Sequence, residues 1–431
     1  MTTRPLLALA ALLLPLAIAA YPMDGYEDTG IRRLEGSRLA DAGEIRGRDE
    51  PPGAELPTEL VDLRLLDHQD FTIPAEDPEL KRQIEILLGR DIEHYGLAVL
   101  DVSDPDNPRY AEVNGDYRQN VGSVGKLVVA LAVFQALADI VPDEADRVRM
   151  LRERIVTADE FSHFDHHTVP FYDVESRKLT KRPLRDGDQA SLWEYLDWML
   201  SPSSNSAAGM LMREAMLMRQ YGAAYPPAED EIKRFFDDTP RKELTALYSR
   251  AFEEPLQRHG FDLDQFRQGS FFTRVGKQKV PGTGSSYATA HNLMRFAVLM
   301  EQGRLVDEFS SRQLKRLLYV TERRIRYASS PRLREAAVYF KSGSLYSCRE
   351  EEGFSCGKYK GNVKNYMNSF AIVESPAGEP RLHYMVMLIS NVLRKNSAVE
   401  HQTLGTRIQE LMEAAHPPPA EAARATRQEL P

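Results

Sequence analysis

Segments with strand character sit towards the two ends of this chain and helices fill the space between them, which constrains the fold more than any other feature. Near the start, "YGLAVLDVSD" and "DPDNPRYAEVNG" read as two strands around an Asp-Pro-Asp-Asn-Pro turn, after the helical spacing of "PELKRQIEILLGRDIEHY". Near the end, "AAVYFKSGSLY", "NYMNSFAIVES" and "LHYMVMLISN" are rich in β-branched and aromatic residues and predict three strands, before a closing helix from about Ala398 to Ala415. One sheet must therefore be assembled from distant segments, giving an α/β chain of the α+β kind.

The middle is helical. "SLWEYLDWMLSPSSNSAAGMLMREAML", "DEIKRFFDDTPRKELTALYSRAF" and "TAHNLMRFAVLMEQG" all carry helical periodicity, with Thr289 as an N-cap and Gly303 as a stop for the last. Leu127, Leu131, Phe134 and Ala138 mark a helix from Leu127 to Ile140 that ends before Pro142. Trp193, Trp198 and the methionines of "MLMREAMLM" read as core filling rather than as a binding platform or cofactor box.

The 431 residues are enough to bury a substantial core. At the start, Arg4, an apolar run from Leu6 to Ala20 and the small residues Ala17 and Ala19 have the form of a secretory signal peptide over 1–20. The alternative is an uncleaved anchor, for which the run is shorter than the roughly 20 residues a spanning helix needs. Residues 21–77 contain "RGRDEPPGAELPTEL", rich in breakers and without apolar period, and are expected to form an extended lead-in. Residues 417–431 are expected to be a disordered tail, leaving 78–416 as the principal domain.

A formal charge of −9 argues against a general grip on nucleic acid, so an anionic substrate would need a local cation. No later segment suggests stable membrane insertion, and no Gly-rich phosphate loop or cofactor motif appears. Both cysteines, Cys348 and Cys356, fall in "LYSCREEEGFSCGKY", and in an exported chain they are expected to form a disulfide closing a hairpin-like loop. Two cysteines without nearby histidines support a metal site poorly.

Chemistry concentrates at "QNVGSVGKLVVALAVFQAL". Residues at i and i+3 share a helix face, so the Lys126 amine can reach the Ser123 hydroxyl. Serine needs a base to become a nucleophile, and lysine can serve if burial or neighbouring positive charge lowers its pKa. Alone the pattern is only a helix start with polar residues. Ser203-Ser204-Asn205 in a polar loop before an apolar helix, and Lys341-Ser342-Gly343 on a predicted strand, change its weight.

In order and in context, Ser-x-x-Lys, Ser-x-Asn and Lys-Ser-Gly resemble the three motifs of the serine β-lactamase and penicillin-binding protein superfamily, and the layout is most similar to class A β-lactamases. The resemblance covers roughly residues 78 to 416. It implies an antiparallel sheet flanked by helices plus an all-helical subdomain. It implies that Ser123 is the acylated nucleophile, Lys126 its base or proton relay, and Ser203 the donor to the leaving nitrogen. Asn205 would hold the substrate amide and the Lys126 side chain, while Lys341 and Ser342 would receive a substrate carboxylate and Gly343 would let substrate lie against the strand. The backbone N–H of Ser344 would pair with that of Ser123 as oxyanion donors.

The sequence departs from that family in three places. Class A enzymes carry a Glu-x-x-Leu-Asn loop whose glutamate activates the deacylating water, and the nearest string here is Glu253-Glu254-Pro255-Leu256-Gln257, inside a charged helical stretch. Glu253 is thus a weak possible deacylation base. The motif spacings are wider than in compact class A enzymes, so insertions surround the site. One insertion, "FSHFDHHTVPFYD", holds His163, Asp165, His166 and His167, but it does not match the His-x-His-x-Asp-His of zinc hydrolases and reads as a polar loop near the cleft, with weak metal binding as the alternative.

The expected function is an exported serine hydrolase of β-lactamase type that opens a β-lactam amide through an acyl-serine. The alternatives are a D-alanyl-D-alanine carboxypeptidase-like or slow penicillin-binding protein acting on peptidoglycan peptide, and a non-turnover sensor of penicillin or cell-wall fragments.

Overall fold

The computed structural model describes residues 23–47, 50–322 and 324–418. The expected signal peptide over residues 1–20 and almost all of the expected tail lie outside the described residues.

Five strands form the main sheet: β1 (Tyr95–Asp101), β2 (Arg109–Val113), β3 (Ala337–Ser347), β4 (Lys364–Ser375) and β5 (Leu382–Asn391). Their order is β2-β1-β5-β4-β3 and every pairing is antiparallel. The amino-terminal hairpin joins the carboxy-terminal meander through β1 and β5, with Val99 opposite Val386, so the sheet closes only when both ends of the domain are present. β3 is left at an edge.

Successive side chains of a strand point to opposite faces, and here both faces are apolar. Leu97, Val99, Val338, Phe340, Val386 and Leu388 pack on one side. There they meet α2 (Pro78–Leu88) and α9 (Ser397–Ala415). Ala98, Leu100, Tyr339, Met385 and Met387 face the larger core, which is the helical body. Between α2 and α9 the chain forms α3 (Lys126–Ile140), α4 (Leu192–Leu200), α5 (Asn205–Tyr221), α6 (Arg241–Arg258), α7 (Ala290–Glu301) and α8 (Glu308–Tyr319). Thr289 caps α7 by accepting from the Asn292 N–H, as its sequence predicts.

Residues 126 to 137 of α3 are buried on every side, and a helix apolar all round belongs in a core. Gly122–Ile140 is the one stretch among the described residues long and apolar enough to cross a membrane, yet it is enclosed by the protein itself.

The expected extended lead-in is folded instead. α1 (Arg32–Asp41) lies in it, and Ile31, Leu34, Leu56, Val61 and Leu65 are part of the main core. Its anchors are ionic as well as apolar: Arg33 grips Asp197 of α4 through two nitrogens at 2.7 and 2.6 Å, and Arg32 pairs with Glu194. Further on, the Asp62 carbonyl accepts from the buried Lys315 amine, which also bridges Glu301 and Glu374. Single apolar side chains between charged anchors leave no period to read, which is why the segment looked unstructured. The insertions after α3 also contain two small ribbons, Ile155–Thr157 with Gln189–Ser191 and Val169–Asp173 with Lys178–Arg182.

Cys348 and Cys356 are joined as a disulfide, with a Cα–Cα distance of 6.2 Å, in the loop that follows β3. The pairing read from the sequence is the one observed.

Candidate active site

Ser123 lies in the 3-10 turn Gly122–Gly125, and Lys126 opens α3 directly behind it. The turn brings the Lys126 Nζ to 3.1 Å from Ser123 Oγ. From the other side arrive the Ser203 carbonyl at 2.7 Å, Ser203 Oγ at 3.3 Å and Asn205 Oδ1 at 2.8 Å. Ser203 is held in the left-handed region at φ 66°, a conformation that costs a non-glycine residue energy and turns its carbonyl onto the amine.

Lys126 is fully buried, and the Phe272 ring stands 4.9 Å from its amine. Burial disfavours the charged form and pushes the amine down to about 7, against the opposing pull of the Asp165 carboxylate. An amine with that pKa can take a proton from a serine hydroxyl near neutrality.

Lys341 comes from β3 and is also buried, with its amine 2.8 Å from Ser203 Oγ. Ser203 thus stands between two amines. Burial, the Lys126 charge and Arg326 hold the Lys341 amine well below its ordinary range. A substrate carboxylate in this place would favour the charged form again, so Lys341 is a cation best expressed when an anion is present. Ser342 is buried beside it.

Gly343 shows why the strand needs glycine here. A Cβ at this position would lie 2.0 Å from the Val121 carbonyl oxygen and 2.7 Å from the Ser123 nitrogen. The backbone of Ser344 adjoins the same turn, since a Cβ on Gly122 would fall 3.1 Å from the Ser344 nitrogen. Gly343→Ala is expected to force β3 away from the Ser123 turn while the fold persists and, if Ser123 is acylated as its motif implies, to slow that step at least 100-fold, since misplacement by about 1 Å can cost that much. Stopped-flow labelling with a fluorescent penicillin measures it.

The structure brings together Ser123, Lys126, Ser203, Asn205, Lys341 and the Ser342-Gly343-Ser344 backbone. It does not bring Glu253 to them. That carboxylate is nearly buried within α6, accepts from Ser249 Oγ at 2.5 Å and faces Arg267 at 3.9 Å. Neither partner contacts Ser123 or Lys126.

Three groups that the sequence reading did not place among the catalytic or substrate-binding residues stand at the site. Arg326 donates to Ser344 Oγ at 3.0 Å and lies 4.7 Å over the Tyr359 ring, adding a second cation beside β3. Gln268 is buried, its backbone carbonyl accepts from Tyr248 OH at 2.7 Å, and its Oε1 has no hydrogen-bond partner. That oxygen packs on Gly125, where a Cβ would come within 2.4 Å of it. Asp165 is turned inward onto the start of α5. No apolar period or familiar motif marks any of the three; only the fold brings them to the site.

In the histidine-rich loop, His163 pairs with Asp186 at 2.6 Å, and His167 pairs with Asp165 at 2.5 Å. Asp165, His166 and His167 have ligand atoms near one another, but both Asp165 oxygens already accept protein hydrogen bonds.

A buried amine flanked by two serine hydroxyls thus stands at the joint between an antiparallel sheet and a helical body. A family model described as "Beta-lactamase enzyme family" matches residues 79–380, and the chain belongs to that family. Its fold is similar to a β-lactamase from Sphaerobacter thermophilus, at 14% identity and TM-score 0.49 over 78% of this chain and 98% of that one. A β-lactamase from Chitinophaga pinensis is similar at 14% identity and TM-score 0.47, covering 79% and 100% of the two chains. A structure of PBP-A gives 14% and 0.46, covering 80% and 100%. No curated protein sequence matches the chain.

Proposed function

We propose that the protein opens a β-lactam amide by forming an acyl-enzyme on Ser123. The observation that carries this reading is the Lys126 amine, buried, pushed down to about 7 and in contact with Ser123, Ser203 and Asn205. Neutral Lys126 takes the Ser123 proton as Oγ attacks the carbonyl carbon, and the N–H groups of Ser123 and Ser344 receive the oxyanion. Ser203, within 3.3 Å of Lys126 and 2.8 Å of Lys341, passes a proton to the ring nitrogen as the C–N bond breaks. Lys341, Ser342 and Arg326 receive the substrate carboxylate.

Release of the acyl group is slow in this reading. The hydrogen-bond partners of Lys126 are hydroxyls, a carbonyl and an amide, and the polar side chain packed on the Ser123–Lys126 turn is the amide of Gln268. An amide can position water but cannot take its proton at neutral pH. The same feature favours, as a second reading, a D-alanyl-D-alanine carboxypeptidase-like or penicillin-binding protein, or a sensor that keeps its adduct.

Gln268→Glu is expected to shorten the lifetime of the penicillin adduct by about 100-fold, the scale of a general base. Intact mass followed over time measures it, and an unchanged lifetime would remove Gln268 from the account. Acylation itself is expected to fall about tenfold for each pH unit below 7, because protonated Lys126 cannot accept the Ser123 proton. A labelling rate that is flat between pH 5 and 8 counts against Lys126 as the base. The oxidised Cys348–Cys356 pair fits an exported protein, in which the 1–20 segment would act as the leader.

A further inference from the structure

We propose that Asp165 is a positioning residue for acylation, clamping the amino end of α5 so that Ser203 and Asn205 are held against Lys126. The inference rests on the acyl-serine reading above. Its basis is the number and placement of the bonds to one carboxylate. Oδ2 accepts from Asn205 N–H at 2.7 Å, Ser206 N–H at 3.0 Å and Ser204 Oγ at 3.0 Å. Oδ1 accepts from the His167 backbone N–H at 3.1 Å and lies 2.5 Å from His167 Nδ1.

An α-helix begins with N–H groups that have no partner inside the helix, and an anion there satisfies them. Ser204 caps α5 through the Ala207 N–H, and Asp165 takes the two N–H groups that Ser204 leaves, while also accepting from the cap hydroxyl. The Asp165 loop is tied to α5 a second time, since Ser206 Oγ donates to the Ser162 carbonyl. Between these ties stands Asn205, whose side chain meets Lys126 while its N–H meets Asp165. Any slack at Asp165 is therefore transmitted to the Lys126 contacts.

The Asp165 side chain is fully buried and its donors hold the carboxyl far below the usual carboxylate range, so the clamp stays ionised across the working pH. Its negative charge also acts on Lys126, favouring the protonated amine. The charged and titratable groups around it are His166 and His167 on its own loop, Lys126 at the start of α3, Lys341 on the far side of Ser203, and Arg274 against the neighbouring Phe164 ring.

Asp165→Asn tests the proposal with the same side-chain shape, and His167→Ala, which removes the Nδ1 contact and keeps the backbone N–H, is a milder second variant. Penicillin acylation is expected to slow about 10- to 100-fold in Asp165→Asn and less in His167→Ala. The acid limb of the Asp165→Asn acylation profile is expected to move to lower pH, because Lys126 loses the charge that favours its protonated form. A residue that only stabilises the fold would not move that limb. Hydrogen exchange at the Asn205 and Ser206 amides is expected to speed up in both variants. Folded variants with wild-type rate, pH limb and amide exchange would overturn the proposal. If the wild-type protein takes no adduct at all, the acyl-serine reading fails, and amide exchange alone decides: faster exchange supports the clamp and unchanged exchange overturns it.

Discussion

Ser123→Ala is expected to take up no covalent label from a fluorescent penicillin, while the wild-type protein gains the mass of one penicillin. Ser123 occupies a 3-10 turn whose backbone is pressed against β3, and its side chain makes one polar contact, with Lys126 Nζ at 3.1 Å. Removing the hydroxyl deletes that contact and leaves Lys126 with the Ser203 carbonyl, Ser203 Oγ and Asn205 Oδ1. The unfolding transition should therefore move by no more than about 1 kcal/mol, the scale of one hydrogen bond. Loss of label with retained stability separates a nucleophile from a structural serine. Labelling of the alanine variant at the wild-type rate would show that another residue is being acylated.

Lys126→Met is expected to reduce acylation by about 10³-fold, within the range for loss of a positioned general base. Methionine keeps most of the side-chain volume inside a close-packed turn and removes only the amine, so the effect reads chemistry rather than a cavity. The surviving activity should lose its dependence on pH near 7, since the titrating group is gone. The variant also leaves the Ser203 carbonyl and Asn205 Oδ1 without their donor, and each buried unsatisfied acceptor costs about 1–3 kcal/mol. That cost is offset in part by no longer burying an amine. Comparison of melting curves with acylation rates keeps the two effects apart.

The sheet was legible because its strands announce themselves twice over. The β-branched runs of β3, β4 and β5 are bounded by breakers, and their observed limits fall within a residue or two of the sequence reading. α3 and α9 were legible from spacing, and α7 from its cap. The lead-in was not, because Leu34, Val61 and Leu65 reach the core one at a time and the remaining hold is ionic, through Arg33 and Asp197. Charge pairing across 164 residues leaves no local trace.

The same distinction runs through the site. Ser123, Lys126, Ser203, Asn205 and Lys341 stand in short motifs whose order carries information, and the structure assembles all five. Glu253 matches a string of residues, yet its helix turns it toward Ser249 and Arg267. Asp165, Gln268 and Arg326 belong to no motif, and only their fold brings them to Lys126, Gly125 and Ser344. Asp165 in particular stands in a histidine-rich loop whose composition points to a polar loop or a weak metal site. Its work as a helix clamp depends on a loop conformation that composition does not encode.

Peptide mapping of the penicillin-treated wild-type protein tests whether Ser123 carries the acyl group. One penicillin mass, retained through digestion, is expected on the peptide that contains Ser123. An adduct on any other peptide, or no adduct after prolonged exposure at pH 8 where Lys126 is neutral, would contradict it.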